Sequence, residues 1–332
     1  MEASDMDVHV ITSAGVRDAS VAELPTLLGV PESLVWVDIP VWDEQAADVL
    51  ARVFGFHPLA LRDCAVRNRV PKMHAYPDAL FIVLHAPERG AAGHVHYVEL
   101  DRFIGPGFLV TVHGPTNAAV PVEVSLRDTT EVLERIRAGR FHPTTSFDIS
   151  HAIVSALVRR MEVFVETLTE DVWDLEKRVT AGQMGVPERF LDDLFRTRHG
   201  LLAVRTMAAQ AREIYRRVAT LSRFVPVESR PLVHDLVDQF DRVSGLAEDE
   251  KDYLQGVIEF YRARTDTKMT IAAERLAVIA VVTLPVTALA SVLGMNLIVN
   301  DHTTPIPLAV SLAVMVAMSS SLLAWAKRQG WW

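Results

Sequence analysis

Two uncharged apolar stretches near one end of the chain limit what it can fold into. Leu276 to Asn300 carries no charged side chain, and after a short gap neither does Thr303 to Ala326. A membrane-spanning helix needs about 20 mostly apolar residues, and each stretch is long enough. The last quarter of the chain therefore reads as a hairpin of two membrane helices. Gly294-Met295-Asn296 sits near the outer end of the first stretch, where glycine breaks a helix and asparagine offers a neutral amide oxygen.

The remainder has a different texture. The chain of 332 residues allows two or three domains. Half of its residues are hydrophobic, but residues 1 to 265 read as an ordinary soluble protein and the excess lies beyond them. Met1 to Val10 contains Glu2, Asp5 and Asp7 and no apolar segment, so no signal peptide is expected. The single cysteine, Cys64, excludes a disulfide framework and fits a reducing compartment. A formal net charge of −9 argues against nucleic acid, whose phosphates require clustered Lys and Arg.

Val35–Ile39, Leu80–Leu84 and Phe108–Val112 are short runs rich in apolar residues bounded by Pro or Gly, and read as buried strands. Glu44–Val53 and Thr129–Ala138 have helical spacing, giving an α/β domain over residues 1–143. From Ser146 apolar residues recur every three or four positions, as in Ile153, Leu157, Met161, Phe164, Leu168, Val172, Leu175 and Val179. Gly182 and Gly185-Val186-Pro187 separate a first long helix from a second, and Phe224-Val225-Pro226 precedes a third that begins near Ser229. No strong stop signal lies between that third helix and the first apolar stretch. A helix of about 60 residues would extend roughly 90 Å, which suits a stalk better than a globular core. The expected layout is stalk helices over 144–269, a first transmembrane helix at 270–293, an outer loop at 294–304, a second transmembrane helix at 305–326 and a basic, aromatic tail at 327–332.

Lys268 and Arg275 precede the first span and Lys327-Arg328 follow the second, while the loop from Leu297 to Pro305 has no Lys or Arg. Positive flanks stay on the cytoplasmic side, so both termini are expected there. Trp325, Trp331 and Trp332 fit an aromatic belt at that interface.

Two helices cannot enclose a water-filled path, so ion movement would require several copies around one axis. Thr270, Ala273, Ala277, Ala280, Leu284, Thr287 and Ser291 recur at alternating three- and four-residue steps, the seam of a left-handed bundle. Small and hydroxylated residues on that seam suit a narrow wet pore, and equally suit close helix packing in a bilayer. Leu276 and Leu284 suit apolar constrictions that close by dewetting, and equally suit contact with lipid or a packed helix. Asn296 after Gly294 suits a helix cap or turn; in a pore, a ring of its amide and carbonyl oxygens would instead hold a hydrated divalent cation through its water shell.

Several segments resemble the CorA family of magnesium and cobalt transporters, in the superfamily shared with ZntB. Besides Gly294-Met295-Asn296, Arg69-Val70-Pro71-Lys72 with Tyr76-Pro77-Asp78-Ala79-Leu80-Phe81-Ile82-Val83-Leu84 is similar to a family segment reading RPK…Y…YLFIVL. Phe56-His57-Pro58-Leu59-Ala60 resembles a family helix start, and Phe103-Ile104-Gly105-Pro106 with Phe108–His113 resembles its strand pair. Leu284-Pro285-Val286-Thr287 stands at the family's spacing before Gly294. The resemblance implies an α+β membrane protein built as a homopentameric funnel: a cytoplasmic α/β domain, stalk helices, and five copies of the first membrane helix around the pore. It implies closure by intracellular Mg²⁺ held between subunits, for which Asp235 and Asp238 occupy an R-D-x-x-D position, with His234 in place of the arginine.

The chain departs from the family pattern in several places. Leu293 and Leu297 flank the Gly-Met-Asn motif where aromatics are usual, and the loop Val299 to Pro305 lacks the family's glutamate, leaving Asp301 as its acidic residue. Thr270 stands where an asparagine is expected, and Glu274 where a basic residue is usual.

The expected function is a divalent-cation channel in the inner (plasma) membrane, importing Mg²⁺ and admitting Co²⁺ or Ni²⁺. Moving two charges inward across about 100 mV gains roughly 4.6 kcal/mol, so no nucleotide is required. The sequence contains no G-x-x-x-x-G-K-[ST] phosphate loop and no H-E-x-x-H metal motif, and no enzyme is expected. Two other readings stand beside this one. One is a proton-coupled zinc transporter like ZntB, with His302, His94 and His96 as zinc-suited residues. The other is a membrane-anchored scaffold or metal sensor that conducts nothing.

Overall fold

Alternating apolar residues on successive strands build a sheet that is covered on both faces. The computed structural model describes residues 6–30, 33–91, 93–183, 185–294 and 305–328. Seven strands run as β1 (Asp7–Thr12), β2 (Gly15–Ala19), β3 (Leu34–Ile39), β4 (Lys72–Ala75), β5 (Leu80–Arg89), β6 (Val95–Gly105) and β7 (Phe108–Val112). Their spatial order is β2-β1-β3-β7-β6-β5-β4. Neighbouring strands pair antiparallel except β3 and β7, which are parallel from Val35 opposite Phe108 to Ile39 opposite Val112. Contacts divide the chain into two units, Met1–Gln255 and Gly256–Trp332.

In the first unit, strand periodicity sends side chains to two separate cores. Trp36, Leu80, Ile82, Leu84 and Leu109 pack on the side covered by α4 (Val122–Arg137), α5 (Ser146–Ala181), α6 (Pro187–Ala219) and the start of α7 (Arg230–Gly294). Val35, Val37, Phe81, Val83, Phe103 and Val110 pack on the other side beneath α1 (Leu24–Leu27), α2 (Glu44–Arg52) and α3 (Pro58–Ala65). The result is a three-layer αβα arrangement.

Local signals explain the helix limits. Thr145 caps α5 through its side chain on the Asp148 amide, and Asp148 returns the contact in a capping box. Gly182 ends α5 in the left-handed region at φ 73°, where a side chain would be strained. Pro187 opens α6 at its first turn, where proline's missing N–H has no intrahelical use. Helix α4 begins at Val122, well before the expected Thr129, because its first turns bury Asp128 and Thr129 rather than an apolar stripe. Strands β1 and β2 escaped the sequence reading: β2 is mostly exposed and polar.

Arg102 is fully buried, and its guanidinium donates to Ser150 Oγ of α5 and to the Tyr215 hydroxyl of α6, each at 2.9 Å. Burying a charge is tolerated only when it is well hydrogen-bonded, so this cation fixes the sheet to two helices at once.

In the second unit, α7 continues from Gly256 to Gly294, and α8 (Pro305–Arg328) begins on proline. Both contain stretches long and apolar enough to cross a membrane. Met295, Asn296 and Asp301 lie outside the described residues.

Candidate ion pathway and cation-sensing face

Along the membrane-length part of α7, the sequence seam becomes a surface. Thr270, Ala273, Ala277, Leu284, Thr287 and Ser291 are all exposed on the single chain, and Ala280 is half-buried. Leu276 and Leu284 are each 67% exposed. Apolar side chains bared to this degree require a bilayer or further protein to cover them. Between the seam positions Val278, Val281, Val282, Val286 and Leu289 are partly exposed, and Ile279, Thr283, Ala288, Ala290 and Val292 are as exposed as the seam itself.

The hydroxyls on this segment have a common geometry. Thr287 donates to the Thr283 carbonyl at 2.8 Å, Thr283 to Ile279 at 2.8 Å and Thr270 to Asp266 at 3.0 Å. A threonine whose proton is engaged four residues back presents only oxygen lone pairs to its surroundings, which suits cations and the hydrogens of their water shells. Pro285 lies inside the helix and cannot donate to the carbonyl one turn earlier, which weakens the ladder just before Thr287. Gly294, the first residue of the Gly-Met-Asn motif, is the last described residue of α7.

The candidate sensing residues lie on the first unit's share of α7. Asp235 and Asp238 are both exposed. Asp235 Oδ2 accepts from His151 Nε2 of α5 at 2.7 Å and from Gln239 Nε2 at 2.6 Å. Farther along α7, Asp241 pairs with Arg212, and Glu248 pairs with Arg205 and Lys251. Sequence reading picked out Asp235 but missed His151, which is 84 positions away. Gln239, one helical turn past Asp235, was the local signal available.

Away from α7, β6 carries two buried acids on one face. Asp101 is fully buried beside Glu99 and Cys64. Burial and the neighbouring Glu99 push its pKa well above the usual carboxylate range. Glu99 accepts from the Asn68 backbone at 2.7 Å and from its side-chain amide at 2.5 Å, and burial raises its pKa as well.

A three-layer αβα unit together with two helices, α7 and α8, that contain membrane-length apolar stretches is the architecture of a membrane metal-ion transporter family. The chain belongs to the family of CorA-like Mg²⁺ transporter proteins, which it matches over residues 31–328. It is a divalent metal ion transporter of that family, whose members are transporters and not enzymes. It is 25% identical over 300 residues, 89% of each chain, to YfjQ of Bacillus subtilis (strain 168), a protein provisionally named a metal ion transporter. It is 23% identical over 327 residues to the cobalt/magnesium transport protein CorA of Thermotoga maritima, covering 95% of this chain and 89% of that one. Its fold superposes on the complete structure of the CorA magnesium transporter from Methanocaldococcus jannaschii with a TM-score of 0.80, at 14% identity and over the full length of both chains.

Proposed function

We propose that the chain assembles as a homopentamer in the inner (plasma) membrane, with both termini cytoplasmic, and conducts Mg²⁺ inward down its electrochemical gradient. The observation that carries this reading is the uncovered seam of α7, small and hydroxylated, leading to Gly294 and the Gly-Met-Asn motif. Five such helices around an axis would place Thr287 as a polar ring and Leu276 with Leu284 as an apolar gate. Gly294, Met295 and Asn296 would form the outer selectivity ring, binding the hydrated ion weakly enough for it to leave. Asp301 would draw cations to the mouth. Asp235 and Asp238 would bind cytoplasmic Mg²⁺ and favour the closed state.

The test is ion flux into proteoliposomes containing the purified protein, comparing Mg²⁺, Co²⁺ and Zn²⁺ with and without a pH gradient. Mg²⁺ flux that follows voltage and ignores the gradient is the expected result. Zn²⁺ flux driven by the gradient, with no Mg²⁺ flux, would replace this reading with proton-coupled zinc transport. No flux from an assembled preparation would leave a scaffold or sensor.

A further inference from the structure

The turn joining β5 to β6 brings two histidines together in a way the ion pathway does not use. His94 and His96 stand two residues apart, and their Nε2 atoms are 3.0 Å from each other. The rings are nearly perpendicular, at 77°. Two imidazole nitrogens bound to one ion at about 2.0–2.1 Å, with a bond angle between roughly 90° and 110°, lie about 2.9–3.4 Å apart. The observed separation falls within that range.

The backbone is shaped around this convergence. Gly90 donates to the His94 carbonyl, and Gly93 donates to the Gly90 carbonyl, each at 2.8 Å, closing the turn. A Cβ on Gly90 would stand 2.7 Å from His94 Nε2 and 2.8 Å from His96 Nε2. The missing side chain is what lets both nitrogens meet at one point. His94 is exposed and His96 half-buried, so an ion reaches the pair from solvent.

We propose that His94 and His96 form a binding site for a borderline transition-metal ion such as Zn²⁺, Co²⁺, Ni²⁺ or Cu²⁺. Imidazole nitrogen suits these ions, whereas Mg²⁺ takes oxygen ligands. Both rings bind through Nε2 as neutral imidazoles carrying their proton on Nδ1. A neutral ring whose proton sits on Nε2 moves it to its own Nδ1 through water on binding, so two neutral rings release no net proton. Glu88, the cross-strand partner of His96, is held by Arg160 at 2.8 Å, so water completes the coordination shell. The site lies in the first unit and does not depend on conduction through α7.

The experiment uses the full-length chain in detergent, stripped of metal. Zn²⁺ binding is measured by calorimetry in excess Mg²⁺, and Cu²⁺ coordination by electron paramagnetic resonance. The wild-type protein should bind one more Zn²⁺ per chain than the H94Q/H96Q variant and should show a Cu²⁺ signal split by two imidazole nitrogens. G90A, which keeps both histidines, should lose the same equivalent. An unchanged stoichiometry and Cu²⁺ spectrum in H94Q/H96Q, with a wild-type melting curve, would overturn the site. Displacement of the ion by Mg²⁺ would overturn its assignment to imidazole ligands. Neither readout involves flux, so failure of the transport reading would leave this result intact.

Discussion

Asp235 on α7 and His151 on α5 are joined by a 2.7 Å hydrogen bond, with the carboxylate still half exposed to solvent. A metal ion approaching Asp235 must compete with His151 and with the Gln239 amide for the same oxygen. The proposed sensor is therefore coupled to the packing of α5 against α7. Removing the competitor should tighten cation binding, and removing the carboxylate should abolish it.

In uptake assays with Mg²⁺ on the side of the soluble unit, Asp235→Asn should raise the Mg²⁺ concentration that halves flux. The expected change is at least about fivefold, the lower end of ordinary allosteric coupling. His151→Ala should shift that concentration the other way. If both variants inhibit like the parent, Asp235 is a structural acceptor only.

Asn296→Ala should leave an assembled oligomer by light scattering while Mg²⁺ uptake falls to background. Asn296→Asp should bind Mg²⁺ more tightly yet pass it more slowly, because an ion held by carboxylates leaves less readily. Normal uptake by Asn296→Ala would remove the residue from the filter.

Thr287→Ser keeps the oxygen and its bond to the Thr283 carbonyl, whereas Thr287→Val keeps the shape and loses the oxygen. Single-channel or flux recordings should find Ser close to the parent and Val strongly reduced. Equal rates for the two would mean that Thr287 faces lipid or a packed interface.

Asp101 supplies a pH test. Its pKa in the folded protein is raised by burial and by Glu99, so the folded chain holds this proton at pH values where the unfolded chain has released it. That preference favours the folded state at acid pH and fades as pH rises through the elevated pKa. Asp101→Asn, which cannot ionise, should therefore raise the thermal unfolding midpoint at neutral pH. The gain should shrink as pH falls towards 4, the ordinary carboxylate range. A gain that grows at lower pH would contradict the assignment.

The buried strands β3, β5 and β7 were legible because runs rich in apolar residues and bounded by Pro or Gly have few other places to go. The ends of α5 and the start of α6 were legible from Gly182 and Pro187. β2 was not, since Gly15–Ala19 is a short, mostly exposed edge strand with little hydrophobic signal; β1 buries Val8, Val10 and Ile11, a pattern the sequence held and the reading passed over. The continuity of α7 from Arg230 to Gly294 was legible from the lack of a strong stop signal before the apolar stretch. The partners of Asp235, the buried bonds of Arg102 and the meeting of His94 with His96 above Gly90 could not, because each depends on how the backbone returns in three dimensions.

The single parallel seam between β3 and β7 bears on how the protein is made. It divides the sheet into two antiparallel ribbons, β2-β1-β3 within the first 39 residues and β7-β6-β5-β4, completed only when β7 is translated. On the ribosome the early ribbon must wait with one edge of β3 unpaired until that later partner emerges. Every strand precedes the first apolar span. The sheet can thus be joined while the membrane segments are still unsynthesised, sealing the β3 edge, the one most open to mispairing with a neighbouring nascent chain.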